Sequence, residues 1–157
     1  MTKIMIVEDD ASLREIYSIR LTAEGYEVIS AVDGESALAV AVREKPDLII
    51  TDVMMPKISG FDMLDILRST PEIKDIKVII MSALSSEDQR QRGENLGADR
   101  YLVKSQVGIE DVVNIVHEVL SDKPQQAEQL VQTDAATINP AFAQQQTADA
   151  ANQQSTN

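Results

Sequence analysis

Two short apolar runs in this chain each end in carboxylates. Glu8 and Asp9 follow Ile4-Met5-Ile6-Val7, and Asp52 follows Leu48-Ile49-Ile50-Thr51. Carboxylates brought into one crevice repel and raise one another's pKa unless a cation neutralises them. A few such oxygens with water suit Mg2+, which binds through one or two carboxylates and keeps several waters. Ser82 follows a third apolar run over 77–81, and Lys104 follows a fourth over 100–103. A hydroxyl and an ammonium are what phosphoryl oxygens need opposite a metal. Taken singly these residues say little. A lone Asp52 is more often a helix cap or loop solvator, Ser82 a turn residue and Lys104 a surface charge. Five suitable side chains at the ends of four strand-like runs form a joint signal for phosphoryl chemistry.

The five can meet only if those runs are neighbouring strands pointing the same way. Strand patterns over 4–7, 27–31, 48–51, 77–81 and 100–103 alternate with helical patterns. Leu13, Ile16, Tyr17 and Leu21 mark the first helix, which stops at Gly25. Ala37, Leu38, Ala41 and Val42 mark the second, before Pro46, and Phe61, Leu64 and Leu67 the third. Ile109, Val112, Val113, Val116 and Leu120 mark the last. Regular alternation implies a parallel sheet with helices on both faces: α/β, three-layer, a (βα)5 doubly wound fold. In the flavodoxin-like strand order 2-1-3-4-5, strands one and three are neighbours at the switch point, and ligands bind outside their carboxyl ends. That order brings Glu8, Asp9 and Asp52 into one crevice. Past Asp52 the chain cannot stay regular, because Pro56 lacks an amide hydrogen and Gly60 tolerates almost any backbone angle. Asp10 extends the acidic run and reads as a helix cap.

Composition removes other chemistries. With no cysteine there are no disulfides or thiolate sites, and a single histidine, His117, rules out His-rich metal centres and is assigned no role. A net charge of −12 opposes direct DNA binding, since phosphate contacts need a basic face. No apolar run has membrane-spanning length and the first residues lack signal-peptide character, so a cytoplasmic protein without membrane contact is the expectation. The segment 85–96 has Leu96 as the only apolar side chain late in its run, and Gly93 costs a helix roughly 1 kcal/mol relative to Ala, so it should be poorly anchored. The domain is expected over 1–123. The Gln/Ala-rich segment 124–157 contains no Lys or Arg, and its composition predicts disorder, with transient helix near 125–131.

The motifs IMIVEDD, TDVMMPKISG, IIMSA and YLVKS, in this order over about residues 2–122, resemble the CheY-like receiver domain of bacterial response regulators. The resemblance implies a phosphorelay protein that is not an enzyme beyond promoting its own phosphorylation and slow dephosphorylation. Asp52 would accept the phosphoryl group from a sensor histidine kinase or phosphotransfer protein. Asp9 would bind Mg2+ directly and Glu8 through water, with Asp52 and the Met54 carbonyl as further ligands. Ser82 would move toward the phosphoryl group, Lys104 would pair with it, and Tyr101 would turn inward. Helix four, strand five and helix five would then present a changed face to an unknown downstream protein, and a phosphorylation-dependent homodimer is a further partner to consider.

The segment after 124 is too short and polar for an output domain, so a stand-alone receiver is expected. Ser105 stands where many receivers have proline. A cis bond there would cost ~3 kcal/mol without proline, so a trans Lys104–Ser105 bond is expected. Met54 and Leu84, two residues beyond Asp52 and Ser82, are apolar and should not activate water against the phosphoryl group.

Other functions fare less well. A Mg2+-dependent hydrolase needs an acid/base carboxylate where Met54 stands, and a flavin or nucleotide binder lacks a Gly-rich loop after strand one. A phosphorylation-independent receiver-fold adaptor is the alternative that intact Asp52, Ser82 and Lys104 argue against.

Overall fold

Continuous apolar runs become central strands because both of their faces are covered. β3 (Leu48–Asp52) is buried along its whole length. It lies between β1 (Lys3–Val7) and β4 (Lys77–Ser82), with β2 (Glu27–Ala31) and β5 (Arg100–Val103) at the edges. All four pairings are parallel and the order is β2-β1-β3-β4-β5, as the alternating pattern predicts. The computed structural model describes residues 1–121, so the expectations for 124–157 lie outside the described residues.

The strands alternate their side chains between two cores. One joins Met5, Val7, Ile49, Ile80 and Tyr101 to Ala37, Ala41, Phe61, Leu64 and Leu67. The other joins Ile4, Ile6, Ile50 and Leu102 to Leu21, Val112, Val113 and Val116. Helices α1 (Ala11–Ala23) and α5 (Ile109–Ser121) therefore cover one face, and α2 (Gly34–Glu44) and α3 (Gly60–Arg68) the other. Ile16 and Val42, read from spacing as part of the apolar stripes, are exposed instead, because they fall at the stripe margins. No described helix is long and apolar enough to cross a membrane.

Side chains at the carboxyl edge of the sheet start the helices. Asp10 accepts from the Leu13 N–H, Asp33 from Ser36, Ser59 from Asp62 and Ser86 from Gln89. Each cap satisfies one of the otherwise unpaired N–H groups of a first turn.

Helix α4 (Glu87–Asn95) has Gly93 as its one buried residue, in keeping with the missing apolar stripe. Its packing shows why glycine stands there. A Cβ on Gly93 would lie 3.1 Å from Tyr101 Cδ2 and 3.4 Å from both Ile80 Cδ1 and Phe61 Cε1, so the bare backbone lets the helix settle on these side chains. Two arginines supply the rest. Arg90 lies 5.4 Å from the Tyr101 ring centroid and donates to the Tyr101 carbonyl at 3.2 Å, and Arg92 lies 4.6 Å above the Phe61 ring. Cation–π contacts at exposed sites contribute about 0.5–1 kcal/mol each, less than a buried apolar stripe. Hydrogen exchange should therefore find α4 amides exchanging through local opening well before those of β3; equal protection of the two elements would contradict this.

Candidate functional site

The register Val7↔Thr51 between β1 and β3 sets the two strand ends side by side. The chain then supplies Glu8 and Asp9 from one strand end and Asp52 from the other. Among the described residues these form one group offering a carboxylate oxygen each, all within 4.8 Å of one another. Glu8 and Asp52 are buried and Asp9 is exposed.

Lys104 enters from the end of β5, where a short 3-10 turn (Lys104–Gln106) follows the strand. Its Nζ lies 2.8 Å from Asp52 Oδ2 and 3.1 Å from Glu8 Oε1. Among the described residues there are no cis peptide bonds, so the Lys104–Ser105 bond is trans, as expected from the serine. Burial alone would lower the Lys104 pKa, but its hydrogen bonds and charge interactions with Asp52 and Glu8 outweigh that and raise it. Burial also dominates at Glu8 and raises its pKa, against the lowering effects of the Asp10 N–H and Lys104. Both Glu8 oxygens are engaged: Oε1 by Lys104 and Oε2 by the Asp10 N–H at 3.1 Å. The ammonium is thus held in charged form by two carboxylates, one of them in a costly environment for its own charge.

Asp52 is held on both oxygens as well. Oδ1 accepts from the Met54 N–H at 3.3 Å while Oδ2 takes Lys104. The backbone behind it is crowded, since the Gly60 N–H bonds the Val53 carbonyl at 2.9 Å and a Cβ on Gly60 would collide with the Asp52 carbonyl. Gly60 is therefore needed for close approach. The Met54 carbonyl accepts no hydrogen bond among the described residues, and the Met54 side chain is 64% exposed.

Ser82 is fully buried at the end of β4 and forms no hydrogen bond with Lys104. Its Oγ accepts from the Leu84 N–H at 2.9 Å, and the Tyr101 hydroxyl donates to the Leu84 carbonyl at 3.0 Å. One residue, Leu84, thus connects Ser82 to Tyr101. Tyr101 lies inward, buried under α4, while Ser82 is bonded to Leu84 and not to Lys104; the resemblance pictured the inward position as following movement of Ser82.

Spacing did not point to several supporting contacts. Arg14 donates to the Glu8 carbonyl at 2.7 Å. Lys57, at φ 71°, reaches Asp33 at 3.5 Å and Glu35 at 3.4 Å, tying the loop after Asp52 to the start of α2. A lysine between Pro56 and Ile58 carries no local signal for that backbone angle. His117 sits between Tyr26 and Glu24, at 2.7 and 3.1 Å, away from the site.

The chain's similarities agree with this arrangement. The model of the response regulator receiver domain family matches residues 4–117. A probable transcriptional regulator ycf27 of Porphyridium aerugineum is 45% identical over 102 residues, covering 65% of this chain and 41% of that protein. A DNA-binding dual master transcriptional regulator RpaA of Synechocystis is 40% identical over 104 residues, covering 66% and 43%. The chemotaxis protein CheY4 of Vibrio cholerae has a solved structure similar to this one, with a TM-score of 0.71 at 34% identity, over 76% of this chain and 98% of that one. The chain spans about two-fifths of the length of the two curated regulators.

Lys104 is the nearest cation to two buried carboxylates, and its removal leaves both uncompensated. Lys104→Ala should destabilise the protein by about 1–3 kcal/mol, less than a wholly buried pair because the lysine is partly exposed. Adding Asp52→Asn should restore part of that loss. Urea denaturation of the two single variants and the double variant checks the coupling, and strict additivity would contradict it.

Proposed function

The chain belongs to the response regulator receiver domain family of two-component signalling, and from that premise we propose that Asp52 accepts a phosphoryl group from the histidine of a partner kinase or phosphotransfer protein. The observation that carries this is Asp52 at the open end of the sheet, with Lys104 at 2.8 Å and the Glu8 and Asp9 carboxylates beside it. An Asp52 oxygen attacks phosphorus, forming the P–O bond as the P–N bond to the donor imidazole breaks. The electron pair returns to the imidazole nitrogen, and the product is an acyl phosphate on Asp52.

The acidic group fits Mg2+, because its donors are all carboxylate oxygens close enough to share one small, hard ion. Asp9 and Asp52 would hold the ion directly and Glu8 through water, and the Met54 carbonyl, which accepts no hydrogen bond among the described residues, would complete the set. When bound, Mg2+ would neutralise charge on the incoming phosphoryl group. Lys104 is positioned to follow that charge from the Asp52 carboxylate to a phosphoryl oxygen.

Ser82 would supply a second contact by giving up the Leu84 N–H. That movement would release the N–H side of Leu84, the residue whose carbonyl Tyr101 holds from the other side. Phosphorylation thereby biases the α4–β5–α5 face, where α4's thin packing keeps the change small in free energy. The signal would pass through protein contacts in the cytoplasm, the net charge of −12 disfavouring direct contact with DNA. This reading makes the chain a receiver that acts on no separate substrate.

Intact mass after incubation with acetyl phosphate and Mg2+ should show one added phosphoryl group, absent without Mg2+ and absent in Asp52→Asn. Amide NMR should show shifts at Ser82, Leu84 and Tyr101. No modification would favour the phosphorylation-independent adaptor. The modified protein should also lose its phosphoryl group slowly. Met54 and Leu84 are 64% and 38% exposed and offer no group that orients water. A phospho-lifetime of only seconds would overturn that expectation.

A further inference from the structure

A second concave surface shares no lining residue with the acidic group at the sheet edge. Between α3 and α4 is a groove of about 410 Å3. Its floor is Phe61, covered by the Arg92 guanidinium, and half-buried Leu96. Its rim carries three exposed carboxylates: Asp62 and Asp65 from α3, and Asp88 from α4. None of the three forms an ion pair among the described residues, whereas ten other acidic residues do, from Glu44 with Lys3 to Asp52 with Lys104.

We propose that this groove docks a basic peptide segment of a partner protein, with an apolar side chain against Leu96 between Lys or Arg residues paired to Asp62, Asp65 and Asp88. Charge complementarity selects this occupant. The one Arg in the groove leaves a net negative rim, and the chain as a whole carries −12, so nucleic acid and a second copy are both repelled. Residues 124–157 contain Glu128, Asp134 and Asp149 and no Lys or Arg, so this chain's own tail lacks the matching charge. A metal ion is the wrong shape of cation. Among the described residues, only Glu8, Asp9 and Asp52 bring three carboxylates within reach of one ion, so the rim acids suit cations spread along a segment. The apolar floor adds a requirement that a simple polycation cannot meet.

The surface is independent of phosphoryl transfer, and its test needs no phosphorylation. The probe is the fluorescein-labelled, capped pentapeptide Arg-Lys-Leu-Arg-Lys, titrated against the full chain by anisotropy and by amide NMR. Binding should weaken about tenfold in Asp62→Asn/Asp65→Asn/Asp88→Asn, three surface ion pairs being removed. It should change less than twofold in Glu15→Gln/Glu27→Gln/Glu72→Gln, which alters the net charge equally at exposed acids elsewhere. In the unmutated chain, peptide-induced shifts should concentrate in α3 and α4, a readout that does not depend on any variant folding. Several results would overturn the proposal: no binding, equal weakening by the two triples, shifts spread over the surface, or spermidine binding as tightly as the peptide. Shifts in α3 and α4 that appear on raising protein concentration alone would assign the groove to a second copy. Movement of 122–157 amides as peptide binds would assign it to the tail. Either would also overturn it.

Discussion

Three carboxylates share one sheet edge, and a single ammonium from the far edge of the sheet touches two of them. The rest of the structure is arranged around that balance. Parallel pairing of β1 with β3 places like charges together, which is unfavourable without a cation. Lys104 reaches across from β5 and is held protonated by the partners it compensates. Because its pKa is raised in the folded state, its stabilising contribution is complete below the ordinary lysine range. It is lost only as pH climbs through the raised value. Glu8 and Asp52 are thereby held close to one ammonium, with Asp9 still open to solvent. Such an edge is poised for a stronger cation and for a phosphoryl group that would draw Lys104 away from Asp52.

The remaining elements divide into stiff and soft. β3 is buried throughout, and Gly60 closes against its end so tightly that no side chain fits. The loop after Asp52 is tied down again by Lys57 on Asp33 and Glu35. The Asp52 position is accordingly firmly held. On the other side of the sheet edge, α4 rests on a glycine, two arginine–aromatic contacts and one backbone acceptor. Leu84 lies between these regions, its N–H on Ser82 and its carbonyl under Tyr101. A firmly held Asp52 beside a loosely held helix is what a local charge change needs to produce a distant rearrangement.

Much of this was legible before any coordinates. Apolar runs of strand length alternating with helical periods gave the layers and the order, because burial on both faces and on one face leave different patterns in sequence. The caps were legible at Asp10 for the same reason that they work, a short polar side chain beside free N–H groups. Periodicity was weaker at the margins of a stripe, where Ile16 and Val42 prove exposed. Gly93 read as a flaw in a helix, since propensity sees only the local backbone and not the Tyr101 ring that needs the space.

By itself, then, the sequence determined the α/β architecture, the acidic crevice at one end of it, and the arrival of Ser82 and Lys104 at the same edge. Those are consequences of chain order and side-chain period, which are local. Only the tertiary structure decided that Lys104 faces Glu8 and Asp52 rather than water, and that Tyr101 lies inward while Ser82 is held by Leu84. It also decided that Asp62, Asp65 and Asp88 share a groove. These arrangements depend on distances between residues far apart in the chain. Each is set by packing and by contacts of about 1 kcal/mol, too small and too context-dependent to leave a mark on local sequence.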